Sequence, residues 1–108
     1  MTKNLFVAPA LAAMLAALSA VAQTSGDPAA GREMARQVCA ACHKVTIAQT
    51  APSRSAPSFA AIANMSSTTE TALHAFLSTP HANMPNLMLK QQQQDDVIAY
   101  ILGLRRPQ

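Results

Sequence analysis

The chain contains two cysteines, and both belong to one five-residue motif, Cys39-Ala40-Ala41-Cys42-His43. Two thiols three residues apart lie on nearly the same side of a helical turn, where they can add to the two vinyl groups on one porphyrin edge. The histidine that follows then directs an imidazole nitrogen toward the metal. This C-x-x-C-H spacing is the attachment signature of c-type haem. The motif predicts one haem c per chain, bound covalently through Cys39 and Cys42, with His43 as an axial ligand of the iron.

The same motif has three other interpretations, which the rest of the sequence disfavours. A disulfide between Cys39 and Cys42 would close a very small loop and stabilise little. A thioredoxin-like redox pair requires a βαβ context, and the sequence shows no strand pattern. A zinc site could recruit His74 and His81, but their spacing does not match that of a zinc finger.

Large core side chains are scarce, which favours a bound group at the centre of the fold. The 108 residues include one Tyr, three Phe and no Trp. A single domain of this length struggles to bury enough apolar surface without a disulfide, a metal or another staple. A haem would supply a large apolar plate.

Residues 1–22 have the pattern of a secretory signal peptide. Lys3 gives a positive start, an uncharged apolar run extends from Leu5 to Leu18, and small residues at A-x-A spacing follow. The run is short for an uncleaved membrane anchor. We therefore expect cleavage after Ala22, which leaves a periplasmic domain of residues 23–108 without stable membrane insertion. Loss of Lys3 lowers the formal net charge from +3 to +2, too small and scattered a charge for nucleic-acid binding.

The apolar periodicity predicts four helices joined by two substantial loops, and no strand. Asp27 can cap the first helix, with Pro28 at its first position. Ser67 and Glu70 form a capping box for the third helix, which Pro80 ends. The predicted helices cover about 28–42, 59–63, 68–79 and 90–104, and the loops cover 44–57 and 81–89. The predicted class is all-α.

A second axial ligand is expected from the loop at 81–89. Met84 lies there, directly before Pro85 and 41 positions after His43. That length lets the chain pass around the haem edge and return on the opposite side, and the proline stiffens the loop. Met84 is the predicted sixth ligand. The alternatives that stay open are Met65, Met88 and, less favoured, His81.

Taken together, these motifs resemble class I cytochrome c, the small monohaem electron carriers of bacteria and mitochondria. The similarity covers nearly all of residues 26–104. It rests on Gly31 eight positions before Cys39, the CAACH motif, APSF at 56–59, HANMPNL at 81–87 and DDVIAYIL at 95–102.

The resemblance implies a fold and one contact beside the haem. The fold is the cytochrome c fold, with about four helices wrapped around one covalent haem and the N- and C-terminal helices crossing. Gly31 would allow that crossing to be close, near Val97 and Tyr100. The carbonyl of Pro57 would accept a hydrogen bond from His43 and tune the iron.

A haem with both axial positions filled by protein has no open site for a substrate. His43 and Met84 together would raise the potential and restrict the chemistry to gain and loss of one electron. The prediction is a periplasmic electron carrier and not an enzyme. It would connect a dehydrogenase or quinol-oxidising complex with an oxidase or reductase. Two alternatives stay open: a haem-bearing subunit of a larger oxidoreductase, and a haem enzyme or gas sensor with a labile sixth ligand.

Redox partners are expected to dock on the exposed haem edge near the CAACH turn, through a small and transient interface. The expected apolar centre is Ala40, Ala41 and Ile47, and the expected basic rim is Arg36, Lys44 and Arg54.

Overall fold

The computed structural model describes residues 25–50, 52 and 56–107. The predicted signal peptide, residues 1–22, lies outside the described residues. The elements are helix α1 (Pro28–Met34), a π-helical turn (Ala35–Cys39), α2 (Phe59–Ala63), α3 (Glu70–Leu77) and α4 (Gln91–Leu102). Within the described part of the chain, extended backbone pairs only at an isolated bridge between His81 and Met84. The prediction of an all-α fold with about four helices is confirmed.

Helix α1 begins as the sequence predicts. The Asp27 carboxylate accepts a hydrogen bond from the Ala29 N–H at 2.9 Å, and Pro28 occupies the first turn, where a missing N–H costs nothing. The Asp27 N–H also donates to the Asp96 carboxylate at 2.8 Å, which ties this end of α1 to α4. Regular α-helix ends at Met34, earlier than predicted, because the next turn is π-helical.

Helices α1 and α4 form the most extensive contact between elements. A Cβ atom at Gly31 would lie 1.9 Å from the carbonyl oxygen of Asp96 and 2.9 Å from the Cα of Val97. Since these are backbone atoms, no side-chain rotation could make room. The expectation of a close helix crossing at Gly31 is confirmed, and the crossing lies next to Val97, as the resemblance implied.

Helix α4 is the centre of the core. Its buried residues form an unbroken run from Val97 to Ile101, because α1, α2 and α3 all pack against it. The other buried apolar side chains are Ala35, Val45, Phe59, Ala63 and Leu73. The Tyr100 hydroxyl donates to the carbonyl oxygen of Val45 at 2.5 Å, which joins α4 to the loop after the CAACH motif.

Helix α3 begins two residues later than a cap at Ser67 would require. Thr69 is the N-cap, and Glu70 is the first helical residue, so the prediction of Ser67 as the cap is wrong. Thr68 explains this later start. Its side chain is buried, and its hydroxyl group donates a hydrogen bond to the Ile62 carbonyl oxygen at 2.6 Å. That bond keeps this segment folded against α2, so the helix starts only after it.

None of the described helices combines the length and the apolar composition needed to cross a bilayer.

Candidate haem-binding site

The CAACH motif forms one tight turn at the end of the first helical segment. The Ala40 N–H donates to the Ala35 carbonyl, five residues back, at 3.0 Å, which closes the π turn. The N–H groups of Cys42 and His43 then both donate to the Cys39 carbonyl, at 3.1 and 2.9 Å. Single π turns inside helices occur frequently at functional sites. Here the π turn ends at Cys39 and leads directly into the rest of the motif, which carries the second thiol and the imidazole.

Both cysteines are unpaired and half-buried. Burial raises the pKa of the Cys39 thiol to about 11, and the same burial packs Cys39 against the hydrophobic core.

The side chains considered for a zinc site do not come together. Among residues 25–50, 52 and 56–107, no three His, Cys, Asp or Glu side chains are grouped so as to hold a metal ion. His74 instead lies on α3 with its Nε2 atom 3.1 Å from the Asp95 carboxylate. His81 stacks on Phe76. What remains at residues 39–43 is two thiols and one imidazole on a single turn, which fits covalent haem attachment.

The His43 imidazole is oriented by two neighbours. Its Nδ1 atom lies 2.6 Å from the carbonyl oxygen of Pro57. A carbonyl can only accept, so Nδ1 carries the hydrogen and donates it, which leaves Nε2 as the ring nitrogen available to bind a metal. The ring also contacts buried Phe59, with centroids 5.4 Å apart and planes tilted by 55°. A metal-binding histidine needs this arrangement of its two nitrogens; the roles of His43 and Pro57 toward the iron stay predictions.

Gln49 supports the turn and was not anticipated from the sequence. Its side-chain oxygen accepts from the Val45 N–H at 2.8 Å. Its amide nitrogen donates to the carbonyls of Ala40 and His43, at 3.2 and 3.0 Å. Gln49 lies in a loop without periodicity, so no local pattern marks it, and only the folded loop shows that it braces the motif.

Met84 closes a four-residue turn, residues 81–84. Its N–H lies 3.4 Å from the His81 carbonyl, and Asn83 has a left-handed φ of 65°, which asparagine tolerates better than most residues. The Met84 side chain is half-buried. Two other candidate ligands, Met65 and Met88, are 51% and 80% exposed. Burial therefore favours Met84 over both.

The family model of cytochrome c matches residues 28–105. The chain belongs to the cytochrome c family. A relative from Bradyrhizobium diazoefficiens, cytochrome c-552, is 35% identical over 89 residues, which cover 82% of this chain and 86% of the relative. No solved structure matches the chain significantly.

Family membership confirms the predicted cofactor and the predicted fold. The protein carries covalently bound haem c with its iron, and it is an electron carrier that transfers electrons to redox partners. The CAACH turn of residues 39–43 supplies the thiols and the imidazole that such a group requires.

Proposed function

We propose that this cytochrome c is a periplasmic one-electron carrier with closed His/Met coordination. Cys39 and Cys42 would form the two thioether bonds, and His43 and Met84 would be the axial ligands. The bound haem would gain and lose one electron at its iron. The protein's part is to hold the two ligands, to keep water and substrates from the iron, and to present one edge to partners.

One observation carries the proposal: the hydrogen bond from His43 Nδ1 to the Pro57 carbonyl. It sets the tautomer so that Nε2 is the free nitrogen, and it raises the basicity of the ring. Phe59 limits ring rotation because it is fixed in the core. A ring held in this way needs no reorganisation to serve as a permanent ligand, as a carrier requires.

Met84 supports the closed coordination. Its turn limits the conformations of residues 81–84, and Pro85 restricts the backbone that follows. Methionine is a weak donor that favours reduced iron, so His/Met ligation raises the potential. A sixth position filled by Met84 would favour the carrier over the haem enzyme or gas sensor, which needs that position open.

The proposed docking surface surrounds the CAACH turn. Of the expected apolar centre, Ile47 is 91% exposed, Ala41 is exposed and Ala40 is half-buried, and Val38, just before the motif, is 40% exposed. Of the expected basic rim, Arg36 is exposed and lies 3.6 Å from the Glu33 carboxylate, and Lys44 is half-buried. Arg54, the third cation of the expected basic rim, lies outside the described residues. An apolar centre with a basic rim suits transient binding to acidic redox proteins such as a dehydrogenase, an oxidase or a reductase.

The periplasmic location rests on the pattern of residues 1–22, with cleavage after Ala22 releasing residues 23–108. Release of a monomer by osmotic shock, with residue 23 at its N-terminus, is the expected result. Purification only as part of a larger assembly would favour the oxidoreductase-subunit alternative.

Attachment is tested with the double substitution Cys39→Ala and Cys42→Ala. Because both thioether bonds would be absent, we expect acid extraction to remove all haem from the variant and none from the wild type. Haem that resists extraction from the double variant would contradict the proposed attachment.

Axial ligation is tested with Met84→Ala, and Met88→Ala is the matched control from the same loop. We expect Met84→Ala to keep covalent haem, lose the near-infrared thioether band, bind carbon monoxide when reduced, and lower the midpoint potential by on the order of 100 mV or more. Met88→Ala should change none of these. An unchanged potential in Met84→Ala, or the loss of the band in Met88→Ala, would move the ligand role to another residue.

A further inference from the structure

The loop that carries Met84 has little support from the core. Every residue from 80 to 90 is exposed or half-buried. Met88, four residues after Met84, is 80% exposed and adopts a left-handed φ of 51°. Backbone without buried side chains opens at low free-energy cost. The position of Met84 therefore depends on the few specific contacts that this loop makes.

His81 makes two of these contacts. Its ring stacks on Phe76, with centroids 3.6 Å apart and planes inclined by 21°. Its Nδ1 atom lies 2.7 Å from the Thr79 carbonyl, and since a carbonyl only accepts, Nδ1 donates. One face and one edge of the imidazole are thus fixed to the end of α3.

Helix α3 is itself fixed. Leu73 is part of the core, and α3 packs against α4. Phe76 lies on the next turn of α3 after Leu73 and is 44% exposed, so its ring offers a surface outside the core. A continuous series of contacts therefore runs from the core through α3 and Phe76 to His81.

His81 and Met84 are the two ends of one turn, paired through the isolated bridge. A displacement of His81 must therefore displace Met84. We propose that His81 is a positioning residue for the iron: its stack on Phe76 holds the turn of residues 81–84 so that Met84 stays bound. The inference rests on the proposed His/Met ligation and assigns no ligand role to His81.

The consequence is a ligand-exchange equilibrium controlled outside the coordination shell. An external ligand binds the iron only when Met84 leaves, so its apparent affinity is set by how often the turn opens. Removing the stack should raise the open population, and a stacked ring pair of this kind corresponds to about a threefold to tenfold change.

The experiment is an imidazole titration of the purified ferric holoprotein, followed by loss of the near-infrared thioether band. We expect His81→Ala to bind imidazole about three to ten times more tightly than the wild type. His81→Phe, which restores a ring that can stack on Phe76, should recover most of the wild-type affinity although it lacks the hydrogen bond to Thr79. The matched control is His74→Ala, which removes the other α3-associated histidine and its pairing with Asp95.

If His81 contributed only to overall stability, its substitution would lower the guanidinium midpoint and leave the imidazole affinity unchanged. His74→Ala should lower the guanidinium midpoint without changing the affinity for imidazole, whereas His81→Ala should change the affinity with little change in that midpoint. Slowed amide exchange at Met84 in the wild type, lost in His81→Ala, is an independent readout that requires no external ligand.

Three results would overturn the inference. Unchanged imidazole affinity in His81→Ala would show that the stack does not hold the turn. A His81→Phe variant that binds imidazole as tightly as His81→Ala would exclude stacking as the cause. Loss of the low-spin spectrum in His81→Ala, but not in Met84→Ala, would make His81 the ligand. Failure of the proposed ligation itself has a different signature: Met84→Ala would then bind imidazole no more tightly than the wild type.

Discussion

The crossing of α1 and α4 allows a sharp test with Gly31→Ala. The new Cβ would lie 1.9 Å from the Asp96 carbonyl oxygen and 2.4 Å from its carbon. An ordinary contact needs about 3.5 Å, so the two helices would have to separate by roughly 1.5 Å. Overpacking of this kind costs about 1–3 kcal/mol, and the gap also weakens the packing of two buried side chains, Ala35 in the π-helical turn after α1 and Val97 on α4.

The opposing effect is the better helix propensity of alanine, about 1 kcal/mol for an interior position. The clash is with backbone atoms, so the upper end of the overpacking cost, about 3 kcal/mol, applies and the net loss is about 2 kcal/mol, which lowers the melting temperature of a domain this small by roughly 10 °C. The assay is thermal and guanidinium unfolding of the holoprotein followed by far-UV circular dichroism.

Gly103→Ala is the matched control, because its Cβ would meet its nearest neighbours at an ordinary 3.4 Å and its φ of −66° suits alanine. The control should be neutral or slightly stabilised. If Gly31→Ala melted within a few degrees of Gly103→Ala, α1 and α4 could not approach as closely as described.

Two further substitutions test the core and a helix cap. Tyr100→Phe should lower the free energy of unfolding by about 1–2 kcal/mol, since the buried Val45 carbonyl loses its donor; a guanidinium midpoint equal to that of the wild type would contradict this bond. Thr69→Ala should cost about 1 kcal/mol because Thr69 caps α3, whereas Ser67→Ala should leave the melting temperature unchanged. A reversed order of these two variants would restore the cap predicted from the sequence.

The resemblance and the apolar periodicity predicted the helices of this protein more fully than they predicted its loops. Asp27 and Pro28 mark the start of α1 by local chemistry alone, and the structure agrees. Ser67 carries the same kind of local signal, yet the cap is Thr69. The local signal fails there because Thr68 is bonded to α2, and a contact across six residues is not visible in a capping pattern.

The sequence alone determined that this chain carries a C-x-x-C-H motif at residues 39–43, and from it predicts the attachment chemistry. Covalent attachment depends on residue types at fixed short spacing, and a helical turn always presents that spacing in the same way. The apolar periodicity predicted the all-α class, and the resemblance implied the close approach at Gly31, where the missing Cβ is a property of the residue itself.

The tertiary structure decided which residues support that chemistry. Gln49 braces the CAACH turn, and Phe76 stacks on His81 beside Met84. No spacing rule marks either residue, because each acts through a loop whose path is set by long-range packing against α3 or α4. The motif predicts how a haem is attached, whereas the few contacts that these loops make with α3 and α4 would set how firmly its iron is held.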